Sequence, residues 1–174
     1  MTCVVILAGG KSSRMGKDKA FLRGGVARIR QLALDAGVER VVTLGGDELR
    51  CELFEGEVIA DPQGANGIGE ILFSVINQID DDIQLIPCDA YSLQSDGLQA
   101  LLELEQGVPL DSEGKRQLLM ARLAKDRCLD VGGDAQNTSS RGRAWKDYIA
   151  HIPSVGMGEM AGQIRNFNRP EDLV

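Results

Sequence analysis

Cys3-Val4-Val5-Ile6-Leu7-Ala8-Gly9-Gly10-Lys11-Ser12-Ser13-Arg14-Met15-Gly16-Lys17-Asp18-Lys19 is the stretch on which the reading of this chain turns. It opens with a short, unbroken apolar run rich in β-branched residues and stopped by two glycines. That pattern predicts a strand buried on both faces, over residues 3–8. Adjacent glycines directly after a strand let backbone N–H groups approach an anion with no Cβ in the way. Arg14 adds a planar fork of donors suited to phosphate oxygens, and Lys19 adds a compact positive charge. Lys11 and Lys17 raise the local potential further. No glycine precedes a Gly-Lys-Ser unit at the spacing a P-loop needs, and the Gly-x-Gly-x-x-Gly dinucleotide fingerprint is absent.

Downstream, the apolar pattern alternates between the two periods. Val26, Ile29, Leu32, Ala33 and Ala36 share one helical face, and Gly37 ends that helix. Val41 to Leu44 and Val58 to Ala60 read as short strands. Ile68, Ile71, Leu72, Val75, Ile76 and Ile79 recur at threes and fours, which predicts a helix over 68–79. Ile83 to Pro87 is the next buried strand, Leu98 to Leu104 a helix and Gln117 to Leu123 a strand. Residues 125–142 are polar and receive no regular assignment. Ala144 to Ala150 reads as a helix, and Ile152 to Val155 and Ile164 to Phe167 as strands. Pro170-Glu171-Asp172-Leu173 has the composition of a helix's first turn. Short apolar strands alternating with helices imply an α/β fold, with a mostly parallel sheet covered on both faces. Ligands of such sheets sit beyond the carboxyl ends of the strands, where Gly9, Asp61 and Asp89 each follow a strand.

Leu85-Ile86-Pro87-Cys88-Asp89 delivers one carboxylate to that edge, in a setting that suits either a turn or cap aspartate or a magnesium ligand. Asp61 reads equally as a turn residue before Pro62 and as a ligand contact. Asn166 and Asn168 alternate along the last predicted strand, so both amides can face one ligand or cap the strand's end. Arg141 and Arg143 read as an exposed basic turn, His151 as a surface histidine, and Asp80-Asp81-Asp82 as a solvated helix end.

Leu-Ala-Gly-Gly-x-Ser-x-Arg-Met-Gly-x-Asp-Lys-Ala, at positions 7–20, resembles the signature loop of the molybdenum cofactor guanylyltransferases, a branch of the nucleotidyltransferases. Asn166-Phe167-Asn168-Arg169-Pro170-Glu171-Asp172-Leu173 is similar to that family's terminal Asn-x-Asn-x-Pro-Glu-Asp-Leu. The resemblance implies a Rossmann-like three-layer sandwich of the nucleotide-diphospho-sugar-transferase type, as one domain over residues 1–174. It implies magnesium-dependent transfer of GMP from GTP to the terminal phosphate of molybdopterin, with release of pyrophosphate. Carried over residue by residue, Arg14, Lys19 and Asp89 would be catalytic. Leu7, Ala8, Gly9, Gly10, Lys19, Asp61 and Asp89 would hold the nucleotide, Asp89 the metal, and Asn166 and Asn168 the acceptor. Transient contact with cofactor-handling proteins is part of the same expectation.

Three segments depart from the family pattern: Gly24-Gly25-Val26-Ala27 and Gly64-Ala65-Asn66-Gly67-Ile68-Gly69 lack its prolines, and Ala90-Tyr91 replaces its Met-Pro. Two other readings therefore stand. One is a relative using CTP or another nucleotide with a different phosphorylated acceptor. The other is a catalytically silent nucleotide-binding protein.

The bulk properties exclude several classes. A net charge of −7 argues against a general nucleic-acid binder. Four cysteines without a Cys-x-x-Cys pair, beside a single histidine, argue against structural zinc. They are expected to be free thiols in a reducing, cytoplasmic setting. No basic leader and no long apolar stretch points to a signal peptide or a membrane span.

Overall fold

The structure is a computed structural model, and it describes residues 1–9, 18–129 and 143–165. In chain order its elements are β1 (Thr2–Leu7), α1 (Gly25–Asp35), β2 (Arg40–Gly46), α2 (Glu48–Cys51) and β3 (Glu57–Ala60). There follow α3 (Ile68–Ile76), β4 (Asp82–Pro87), α4 (Ser95–Leu102), β5 (Val108–Leu110), β6 (Arg122–Leu123), α5 (Trp145–Tyr148) and β7 (Ser154–Gly156). Five strands form one sheet in the order β3-β2-β1-β4-β6, and β5 pairs with β7 in a small second sheet. β1 lies parallel to both β2 and β4, and β2 parallel to β3; only β6 runs antiparallel.

The alternation of side chains along β1 explains the two layers that cover the sheet. Val5 and Leu7 point to one face with Leu44 and Leu85, where Leu72, Val75 and Ile76 of α3 and Trp145 and Tyr148 of α5 meet them. Val4 and Ile6 point to the other with Ile86, against Val26, Ile29 and Ala33 of α1 and Leu98 and Leu101 of α4. A central parallel strand covered from both sides has no polar face, and β1 accordingly reads as an unbroken apolar run.

Helix ends follow from local chemistry. Gly37, at φ 81°, closes α1: its N–H donates to the Leu34 carbonyl and the Val38 N–H to that of Ala33. This is the pairing of a left-handed glycine cap. α3 stops at Ile76, short of the expected Ile79, because Arg127 takes over the last carbonyls. Its guanidinium donates to the Ile76, Ile79 and Asp81 oxygens at 2.5, 2.6 and 2.8 Å. α4 begins three residues before the expected Leu98 and ends at Leu102.

The expected strand over 117–123 is mostly a 3-10 turn, Leu118–Met120, followed by the two-residue β6. The buried Gln84 side chain on β4 donates to the Met120 carbonyl at 2.8 Å, and the Trp145 indole to that of Leu118 at 3.0 Å. Side chains thus satisfy carbonyls that a longer ladder would have used. The strand expected over 152–155 is shifted to Ser154–Gly156. Ile164 and Arg165 are not in a strand, and Gly158–Gln163 just before them is a 3-10 helix. The rest of that expected strand, and the turn at Pro170, lie outside the described residues.

The contact of α3 with α5 leaves no room for a side chain at one position. A Cβ on Gly69 would run into the Arg143 carbonyl oxygen and stand 2.8 Å from the Trp145 nitrogen. Gly69→Ala should therefore lower unfolding stability by about 1–3 kcal/mol, as overpacking against backbone does. Urea denaturation checks this, with a lower midpoint at unchanged slope as the expected result.

Candidate nucleotide site

The order of the strands creates a crevice. From β1 the chain moves one way to β2 and β3, then crosses back to place β4 on the other side. In open parallel sheets the carboxyl ends at such a reversal are where ligands bind. Here those ends are joined by backbone bonds that continue past the strands. The Ala8 N–H donates to Leu44, that of Cys88 to Leu7 and that of Asp61 to Gly46, at 3.0, 3.0 and 2.8 Å. Ala8, Gly9, Gly46, Asp61, Cys88 and Asp89 therefore stand on one rigid edge.

Two of the expected residues meet there. Lys19 Nζ donates to Asp89 Oδ2 at 2.7 Å, and both side chains are largely buried, 16% and 9% exposed. No described residue donates to Asp89 Oδ1. The segment after Asp89 is pinned from α1, where Arg28 donates to the carbonyls of Ala90 at 2.6 Å and Leu93 at 2.7 Å. The Tyr91 hydroxyl donates to the Lys19 carbonyl at 3.2 Å. Burial, with the nearby Cys88 and Asp89, pushes that hydroxyl up to about 12, so it remains protonated. Burial, then Asp89, likewise pushes the Cys88 thiol up to about 12. A neutral thiol is a poor nucleophile, so Cys88 beside Asp89 acts as a small apolar filler.

Gly9 and Asp61 also come together. A Cβ on Gly9 would lie 3.3 Å from the Gly46 Cα and 3.6 Å from Asp61 Oδ1, so the glycine keeps open a narrow space between β1, β2 and β3. The Asp61 carboxylate is half-buried and has no hydrogen-bond or ion-pair partner among the described residues. Burial, and then the Asp47 carboxylate, hold it above the ordinary carboxyl range. Leu7 and Ala8 lie at the same edge. Gly10, Arg14, Asn166 and Asn168 lie outside the described residues.

The turn after Lys19 accounts for one departure from the expected pattern. Gly24 and Gly25 have φ of 82° and 41°, and a Cβ on Gly25 would run into the Ala20 carbonyl oxygen. The Val26 N–H donates to that same oxygen at 2.8 Å. The glycine pair folds the start of α1 back onto Ala20 and so fixes the residue beside Lys19.

Arg50 was not singled out in the sequence. It binds both oxygens of Asp18 and donates to the Ala8 carbonyl at 2.5 Å. It stands on α2, whose first turn is capped by Asp47 accepting from the Arg50 N–H at 2.8 Å. Burial works to raise the Asp18 carboxyl, but hydrogen bonds from Arg50 and the Ala20 N–H outweigh it and hold it below the usual range. The one hint in the sequence is an aspartate cap directly after Gly45-Gly46, which marks a helical turn at the carboxyl edge.

The donor set limits which ion could bind. Among the described residues no three His, Cys, Asp or Glu side chains are grouped as metal ligands. Asp89 supplies a single hard oxygen donor, which suits a cation held by one or two carboxylates and completed by phosphate oxygens and water. It does not suit a closed zinc cage.

A mostly parallel sheet whose crevice at the reversal presents a lysine–carboxylate pair beside open glycine backbone is the α/β class of ligand-binding fold, with groups suited to phosphate. The chain belongs to the MobA-like NTP transferase domain family, whose model matches residues 4–150. It is similar to a nucleotidyl transferase from Methanothermobacter thermautotrophicus, at 17% identity over 99% of this chain and 94% of that one, with a TM-score of 0.67. It is also similar to an Aquifex aeolicus protein, at 17% identity over 95% of this chain and 92% of that one, with a TM-score of 0.65. Likenesses at this identity concern the fold alone. No curated protein matches the chain. No helix among the described residues is long and apolar enough to cross a membrane.

The raised Asp61 has a consequence for stability. Its charged form is worse placed in the folded chain than in the unfolded one. The penalty is present at neutral pH and disappears as pH falls below the ordinary carboxyl value of 3.8. Asp61→Asn without ligand should therefore raise the unfolding temperature by about 1–3 °C near neutrality. Calorimetry across pH should show that gain vanish in acid.

Proposed function

We propose that the chain transfers GMP from GTP to the terminal phosphate of molybdopterin and releases pyrophosphate, in the cytoplasm and with magnesium. The base rests on Asp61. Guanine alone among the four bases presents adjacent ring N–H and amino N–H donors, which pair with the two oxygens of one carboxylate. A half-buried carboxylate with no partner of its own among the described residues, beside the open backbone of Gly9 and Gly46, supports that match. Adenine, cytosine and uracil would each set an acceptor against it. The acceptor rests on the resemblance of residues 166–173 and on the family, as does transient contact with cofactor-handling proteins. The acidic net charge and four free cysteines support a reducing compartment and speak against nucleic acid as a partner.

In this reading the acceptor's phosphate oxygen attacks the α-phosphorus of GTP in line. The bond to the β-phosphate oxygen breaks, and its electron pair leaves with pyrophosphate. Little covalent work falls to the protein, so positioning and charge stabilisation dominate. Lys19 donates to the phosphate oxygens on which charge grows, and Asp89 aims its ammonium before substrate arrives. Gly9 and Gly10 offer backbone N–H groups, and Arg14 takes a bidentate hold on the triphosphate. Bound at Asp89, a magnesium ion would neutralise charge shared by nucleotide and acceptor.

Pyrophosphate release, with magnesium, molybdopterin and each of GTP, CTP, ATP and UTP, tests the reading. GTP alone should support turnover. Preference for CTP or UTP would replace it with the related transferase, and GTP binding without any release would replace it with the silent relative. Lys19→Ala should lower kcat/KM by about a hundredfold, since charged stabilisers of this kind commonly carry that much. Asp61→Asn should cost GTP about tenfold or more in kcat/KM and change the other nucleotides little, as loss of a bidentate base contact does.

A further inference from the structure

Ala8 follows β1, and Asp18 directly precedes Lys19. One side chain binds both residues. Arg50 takes both carboxylate oxygens of Asp18 and the carbonyl oxygen of Ala8. We propose that Arg50 is a positioning residue of the nucleotide site: it ties Asp18, the residue before Lys19, to Ala8 at the end of β1, so that affinity for the triphosphate depends on a side chain that need not touch phosphate.

Several observations carry this beyond an ordinary ion pair. An exposed salt bridge contributes little, but the Arg50 side chain is only 16% exposed. It is held from behind as well. Its Cδ packs where a Cβ on Gly46 would be 3.3 Å away, and its guanidinium lies 5.4 Å from the Phe54 ring centre. Phe54 is in turn stacked on Phe21, with ring centres 5.3 Å apart. Phe21 closely follows Lys19 in the chain, so the support returns to the loop it serves. Arg50 Nε is buried without a partner. Leaving one donor unmet carries a cost, which the contacts of the two terminal nitrogens must exceed. The geometry also selects arginine: a planar fork can meet a carboxylate and a carbonyl together, whereas a lysine ammonium offers one point of charge. Holding Asp18 against Ala8 fixes the backbone beside Lys19 in advance, so less ordering is left for a ligand to meet on binding.

The proposal rests on the family-level reading of a nucleotide site and on neither base nor acceptor. Magnesium pyrophosphate, which carries neither, is therefore the probe, with binding followed by titration calorimetry. Arg50→Ala should weaken pyrophosphate by about tenfold, the scale of one lost charge-assisted contact. Arg50→Lys should recover only part of that loss. Asp18→Asn should weaken binding alone, yet cost little more when added to Arg50→Ala, because the two act as one unit. Added guanidinium should restore part of the affinity of Arg50→Ala and none of that of Lys19→Ala. Unchanged binding in Arg50→Ala, full recovery by lysine, or strictly additive losses would each overturn the proposal. If Arg50→Ala fails to fold, Arg50→Lys and Asp18→Asn, singly and combined, decide by the same criteria. Pyrophosphate binding that fails in the unaltered chain would instead overturn the nucleotide-site reading itself.

Discussion

Asp18 and Lys19 are neighbours in the chain but are paired in opposite directions. Asp18 turns to Arg50, on the helix that follows β2, and Lys19 turns to Asp89, just past the end of β4. β2 and β4 flank β1, the strand from which the glycine loop departs. Asp18 and Lys19 are thus fixed from both sides of the crevice by elements the sheet itself holds in register. Both pairs depend on β1 lying between two parallel partners, whose register sets where Ala8, the end of β2 and Asp89 stand along the edge. The apolar run at residues 3–8 and the charged dipeptide at 18–19 are two parts of one constraint.

Those pairs also explain how an acidic chain can hold a triphosphate. Its overall charge is −7, yet at the crevice Lys19 and Arg50 are each paired with a carboxylate before any ligand arrives. A buried pair of this kind is weak evidence for stability, since removing charges from water offsets most of their attraction. Its effect is on geometry: Lys19 is aimed and its rotamers are restricted in advance, which is where preorganised charge gains its advantage over water. Arg50, its two terminal nitrogens taken up by Asp18 and Ala8, is by contrast bound to the scaffold.

The parts of this arrangement that could be read in the sequence are those written in local pattern. The β1 run, the α1 and α3 faces, Gly37 as a cap, and the delivery of Asp61 and Asp89 to strand ends all follow from periodicity and glycine chemistry. What stayed hidden depends on side chains reaching across the fold. Arg127 ending α3 from 51 residues away, and Gln84 replacing ladder bonds near Met120, have no local signature. Arg50 is hidden for the same reason, 32 residues from Asp18 in a four-residue helix that no periodicity could mark. Arg14, Gly10, Asn166 and Asn168 remain readings of motif alone, as they lie outside the described residues.

Asp61 is the point where fold and chemistry pull apart. A sheet built for stability would leave no half-buried carboxylate unmet beside a second acid, and the raised Asp61 records that conflict. Gly9, just past β1, and Gly46, at the end of β2, put bare backbone beside it. A carboxylate without a partner among the described residues, beside glycine backbone, costs the resting protein, and a ligand edge with two adjacent donors would relieve that cost on arrival. Under the proposed reading, selectivity would arise because only a matching base removes the penalty, whereas a mismatched one would add acceptor repulsion to it.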